Sequence, residues 1–136
     1  MATFTATTYG SGDTLRHVTD VNGRHVLVTD EPEAIGGTDD GPTPNELLPA
    51  ALSACISTML SLYARRRGLD IGDIRIDVEY QSDVTPRRLD VTVCIPDDWP
   101  DDQLARLMRV VQSCPVKQAF EAGFVVHENV EMPALD

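Results

Sequence analysis

Residues 44–67 decide most of what this chain can become. The run PNELLPAALSACISTMLSLYARRR carries its start and stop signals with it. Thr43 can cap the N-terminus, Pro44 suits the first helical position, and Glu46 stands three residues after Thr43, the spacing of a capping box. Arg65, Arg66 and Arg67 oppose the negative end of the helix dipole, and Gly68 ends the helix. Leu47, Leu48, Ala50, Ala51, Leu52, Ala54, Cys55, Ile56, Met59, Leu60, Leu62 and Tyr63 cover most of the circumference. A helix apolar nearly all round belongs at a centre, not on a surface. Pro49, near the first turn, is expected to bend it slightly.

The rest of the chain supplies what could surround that helix. Before it, TFTATTY, LRHVTDV and GRHVLVTD read as three strands, and Asn22-Gly23 marks a tight hairpin between the last two. The Gly- and Pro-rich stretch 32–43 must be loop. After the helix, IRIDVEY sets Ile74, Ile76, Val78 and Tyr80 against Arg75, Asp77 and Glu79, and LDVTVCI repeats the alternation with Leu89, Val91, Val93 and Ile95 inward. Joined by QSDVTPRR, they predict a hairpin with one wet face. A helix capped by Asp98 or a neighbour follows, with Leu104, Leu107, Met108 and Val111 at helical spacing. SCPVKQAF opens a short third helix ended by Gly123, and FVVHENVEM reads as a last strand. The order β-β-β-α-β-β-α-α-β describes an α+β protein with antiparallel sheet. Its 136 residues fit a single domain, 1–136. Two small sheets from one such chain cover a central helix poorly, which points to a homodimer.

Composition narrows the function. The formal net charge of -11 argues against a nucleic-acid partner, because phosphate binding needs a basic surface. No membrane partner is expected, since no window is read as reaching the 18 or more uncharged apolar residues of a span. No secretory signal is expected in MATFTATTYG. Three cysteines then suggest a cytoplasmic chain kept reduced, in which a lasting disulfide is unusual and a transient one is not.

The cysteines are the residues with chemistry to offer. Cys55 is either a small apolar residue of an Ala-rich helix or a nucleophile that needs a nearby cation to become thiolate. Cys114 falls at a helix N-terminus with Pro115 behind it, where unpaired amides favour a thiolate; it can equally be a buried helix start. Cys94 shares the wet face of its strand with Asp90 and Thr92 and reads as a bystander. Glu46 is accounted for by the capping box, or it holds an arginine over a thiol. His17, His25 and His127 show no metal-ligand spacing, so no metal site is expected.

The run GPTPNELLPAALSAC, the CPVKQAF motif and the 59-residue spacing from Cys55 to Cys114 (114 − 55) together resemble the OsmC/Ohr family of thiol-dependent hydroperoxide reductases. The preceding loop TDEPEAIGGTDDGPTP and the hairpin after the helix match as well, so the likeness spans nearly the whole chain. The resemblance implies an OsmC-like fold, with antiparallel sheets wrapped around long central helices in an intertwined homodimer. It implies a peroxidatic Cys55, a resolving Cys114, an organic hydroperoxide as substrate, an external dithiol as reductant and no cofactor. It also implies an activating arginine from the N-terminal strands, Arg16 or its rival Arg24, held by a glutamate at the start of the long helix. Glu46 is nine residues before Cys55, whereas hydroperoxide-specific members carry the glutamate ten before, where Asn45 stands here. One residue rotates the side chain by about 100° around the helix. A different function stays open beside this one: a redox-inert protein that binds an apolar ligand at the subunit interface. A sensor passing on a disulfide signal is a third.

Overall fold

The computed structural model describes residues 2–96 and 99–132. They form β1 (Ala6–Tyr9), β2 (His17–Val21), β3 (His25–Thr29), α1 (Leu47–Arg67), β4 (Arg75–Gln81), β5 (Arg88–Cys94), α2 (Asp101–Gln112) and α3 (Pro115–Ala122). The chain divides into two compact units, residues 1–53 with 77–92, and residues 54–76 with 93–136.

In the first unit β1, β2 and β3 form an antiparallel sheet in that order. Val18 faces Val28 and Val21 faces His25. The predicted turn is there: Asn22 and Gly23 both adopt positive φ, 55° and 66°, and the Arg24 amide donates to the Val21 carbonyl at 3.2 Å. The loop after β3 is tied by one carboxylate. Asp30 is only 1% exposed and accepts from the amides of Glu31, Thr38 and Asp40 and from the Thr38 hydroxyl. Gly37 is needed here: a Cβ on it would stand 1.8 Å from the Glu31 carbonyl oxygen.

The cap predicted for α1 exists in its forward half. Thr43 Oγ1 accepts from the Glu46 amide at 3.2 Å, and regular helix begins three residues later than Pro44, at Leu47. Pro49 therefore lies in the first turn, where a missing N–H removes no intrahelical bond. The helix is buried along one stripe, Leu52, Ile56, Leu60 and Ala64, spaced by four. The opposite side is open, with Ala51, Ala54, Thr58 and Leu62 exposed, while Leu48, at the start of the buried row, is 38% exposed. The expectation that no stretch could qualify as a membrane span needs correcting. By length and composition α1 is long and apolar enough to cross a membrane, since residues 47–64 hold no charge. Serine and threonine hydroxyls punctuate it, and those of Ser53 and Thr58 bond back to the carbonyls of Ala50 and Ala54.

The β4–β5 hairpin alternates as read, with Arg75, Asp77 and Glu79 exposed and Ile76, Val78 and Tyr80 half-buried. In the second unit Ile56, Leu60, Ala64, Ile71, Leu107, Val111 and Cys114 form the buried core. Met108, grouped with the core from its spacing, is 50% exposed. Asp98, the predicted cap of α2, lies outside the described residues. The residue at the cap position is Pro100, with Asp101 and Asp102 in the first turn. The last predicted strand is not formed. Residues 124–132 are irregular and exposed, Val125 83%, Val130 89% and Met132 94%. A strand exists only through a ladder, and among the described residues no strand pairs with that segment.

Candidate redox site

Cys55 lies in the third turn of α1, half-buried, at the edge between the buried stripe and the open side. Cys114 caps α3 and is fully buried. The fold brings the two together. The Cys114 side chain and the backbone N–H of Val116 are both close enough to the Cys55 sulfur to act on its proton. Both thiols are free.

The source of that amide follows from local sequence. The first amides of a helix have no intrahelical acceptor. Pro115, at the first position of α3, has no N–H, and the Gln118 amide closes the first turn onto the Cys114 carbonyl at 3.0 Å. Val116 is thus the first donor α3 can offer. The sequence reading gave the helix N-terminus to Cys114 and none to Cys55. The geometry gives Cys55, in mid-helix of α1, an amide from the start of α3.

Burial pushes the Cys55 thiol above its ordinary value, and the neighbouring Cys114 sulfur pushes the same way, by its hydrogen bond and its charge. The Val116 amide pulls it down. A thiol held protonated beside a second thiol, with one donor ready for the charged form, suits chemistry in which the two sulfurs join.

Arg16 is just before β2, and its Nε is 3.5 Å from Asp40 Oδ2. It lines a cavity of about 440 Å³ with Asp30, Thr38 and Asp40. Asp40 is itself placed by the knot around Asp30, through its amide and through the Thr38 hydroxyl at 3.3 Å from Asp40 Oδ2. Glu46 is exposed and forms no ion pair among the described residues; its amide serves the Thr43 cap. The carboxylate on Arg16 is Asp40, not Glu46. Arg24 sits in the exposed β2–β3 turn. Cys94 ends β5, where Arg75 Nη2 donates to its sulfur at 3.5 Å. Among the described residues no group of His, Cys, Asp and Glu side chains is arranged to hold a metal ion.

Sequence reading missed Asp40 and Val116. A signal existed for Val116, in the proline of Cys-Pro-Val. None existed for Asp40, one of several acids in a glycine-rich loop.

A family model described as OsmC-like protein matches residues 37–129, more than half of the chain. Among solved structures, a putative osmotic stress induced and detoxification response protein from Psychrobacter arcticus superposes with a TM-score of 0.70 at 22% identity, covering 87% of this chain and 88% of that one. An organic hydroperoxide resistance protein from Elizabethkingia anophelis gives 0.62 at 22% identity, covering 87% of each chain. An OsmC-like protein of unknown function from Vibrio cholerae gives 0.64 at 12% identity, covering 87% and 93%. A search of curated protein sequences found no match.

Proposed function

The chain belongs to the OsmC-like protein family, and on that premise we propose that it reduces organic hydroperoxides to alcohols with Cys55 and Cys114. The observation that carries the reading is the meeting of these two sulfurs under the Val116 amide. Some structural neighbours, such as the Elizabethkingia anophelis protein, are named for organic hydroperoxide resistance, which supports the choice of substrate.

The Cys55 thiolate attacks the terminal oxygen of the hydroperoxide. The O–O bond breaks, the alkoxide leaves and takes up a proton to become the alcohol, and Cys55 becomes a sulfenic acid. The Cys114 sulfur then displaces hydroxide from that sulfenic acid, which departs as water and leaves a Cys55–Cys114 disulfide. An external dithiol returns two electrons and two protons by exchange and ends as a disulfide itself. Resemblance to the family assigns to an N-terminal arginine, Arg16, the positive charge that would favour the Cys55 thiolate and the developing alkoxide. Asp40 holds that guanidinium in the role first assigned to Glu46.

The working form is a homodimer. The open side of α1 and the exposed apolar segment 124–132 support this, because surfaces of this kind mark interfaces. A second chain offers 124–132 the strand edge it lacks.

The test is consumption of cumene hydroperoxide with dithiothreitol. Wild type should turn over repeatedly. Cys55→Ser should be inactive. With cumene hydroperoxide alone, before any dithiol is added, Cys114→Ser should react once and stop as a sulfenic acid that dimedone traps. Undiminished turnover by Cys55→Ser would leave the reading without a nucleophile.

A further inference from the structure

The C-terminal end of α1 and one face of α2 gather three arginines that the thiol chemistry does not use. Arg106 and Arg109 are three residues apart on α2, and so share a face. Arg67, the last residue of α1, stacks over the Tyr63 ring with its guanidinium carbon 5.5 Å from the centroid. The three border one open hollow of about 430 Å³. A narrower hollow of about 170 Å³ adjoins it, sharing Tyr63, Arg67 and Arg106 and adding Leu69, Trp99 and Gln103.

None of the three guanidiniums is ion-paired among the described residues, whereas Arg16 and Arg88 each have an aspartate. This is unexpected in a chain with 22 acidic residues against 11 basic ones. Helix dipoles account for Arg67 and Arg109 singly, since both stand in a last turn. They do not account for Arg106, or for the convergence of all three on one concavity. Gathered like charges repel, and a bound anion reverses the sign of that interaction. Guanidinium forks match the oxygens of a phosphate or carboxylate better than any other side chain. Beside the charge, the narrower hollow offers two aromatic rings, Tyr63 and Trp99, in a lining that is half polar.

We propose that this double hollow binds a small phosphate monoester with an aromatic body. The phosphate sits among Arg67, Arg106 and Arg109, and the ring enters the slot between Tyr63 and Trp99. The site is independent of the peroxide reading: it needs neither cysteine.

Isothermal titration calorimetry on the whole protein tests it, with phenyl phosphate as probe, inorganic phosphate as the charge-only control and benzyl alcohol as the uncharged one. Phenyl phosphate should bind saturably, one per chain, more tightly than inorganic phosphate, and benzyl alcohol should not bind. The R106Q/R109Q double variant should weaken phenyl phosphate by about tenfold or more, the loss expected for charge-assisted hydrogen bonds. W99A should bring phenyl phosphate down to the affinity of inorganic phosphate. R67Q serves as a second charge variant should the double variant fail to fold. Three results overturn the proposal: no saturable binding, binding indifferent to the arginine variants, or a change of oligomeric state in R106Q/R109Q with no effect on phosphate. The last assigns the arginines to a protein interface.

Discussion

Val116→Pro isolates the amide that reaches Cys55. Position 116 is in the first turn of α3, where the backbone N–H has no intrahelical acceptor, so proline there removes a donor and no helical bond. A hydrogen bond to a charged acceptor contributes about 1.5–3 kcal/mol. Cys55 is only half-buried and a thiolate is a diffuse acceptor, so the lower end applies, about 1.5 kcal/mol. That corresponds to about a tenfold smaller thiolate population at neutral pH. The assay is iodoacetamide alkylation of Cys55 across pH in a C94A/C114A background, with and without the proline. Alkylation near pH 7 should slow by about tenfold, while the limiting rate at high pH, set by the thiolate itself, stays unchanged. The circular dichroism spectrum should be unaltered. Equal rates at neutral pH would refute the assignment of the Val116 amide to Cys55.

Cys94→Ser should retain wild-type turnover, because Cys94 lies on the wet face of the hairpin beside Arg75; loss of activity in the peroxide assay would mean that the redox pair was wrongly chosen. Arg16→Ala should slow the first reaction with peroxide in stopped flow, Asp40→Asn should slow it partly, and Glu46→Gln should change it least; the reverse order of the two acids would restore Glu46 as the holder of Arg16. Asp30 is held at about 2, below the usual 3.8, first by the Thr38 hydroxyl and then by the amides of Asp40, Glu31 and Thr38, with burial opposing. A depressed carboxyl contributes stability that is whole above the unfolded value and lost as pH falls through the folded one. Thermal unfolding of wild type should therefore weaken from about pH 4 down to about pH 2, and in Asp30→Asn that part of the pH dependence should vanish, at a lower Tm near neutrality.

What the sequence made legible was local. Asn22-Gly23 names its own turn, because only residues that accept positive φ fit it. The hairpin strands alternate with a period of two, and Thr43 reaches the amide three residues on. Each of these depends on neighbours a few positions away. The cysteine pair was legible through motifs and spacing, not through any contact readable from the string. Features set by distant chain were harder. Asp40 meets Arg16 because a loop folds back over buried Asp30, and no pattern marks one aspartate of that loop above the others. The Val116 amide reaches Cys55 because α3 starts where α1 passes. The segment FVVHENVEM has the composition of a strand, but a strand is a property of two segments. Among the described residues it has no partner. The apolar girdle of α1 was read as full burial, and one chain covers only the Leu52–Ala64 side.

The central claim is that Cys55 and Cys114 form one redox couple driven by an organic hydroperoxide. Treating the reduced protein with one equivalent of cumene hydroperoxide, blocking the remaining thiols and mapping peptides by mass spectrometry tests it most directly. The account predicts a Cys55–Cys114 bridge within one chain, one equivalent of cumyl alcohol, and Cys94 recovered blocked as a free thiol. Unbridged Cys55 and Cys114 with the hydroperoxide unconsumed would contradict it, and so would a bridge that includes Cys94.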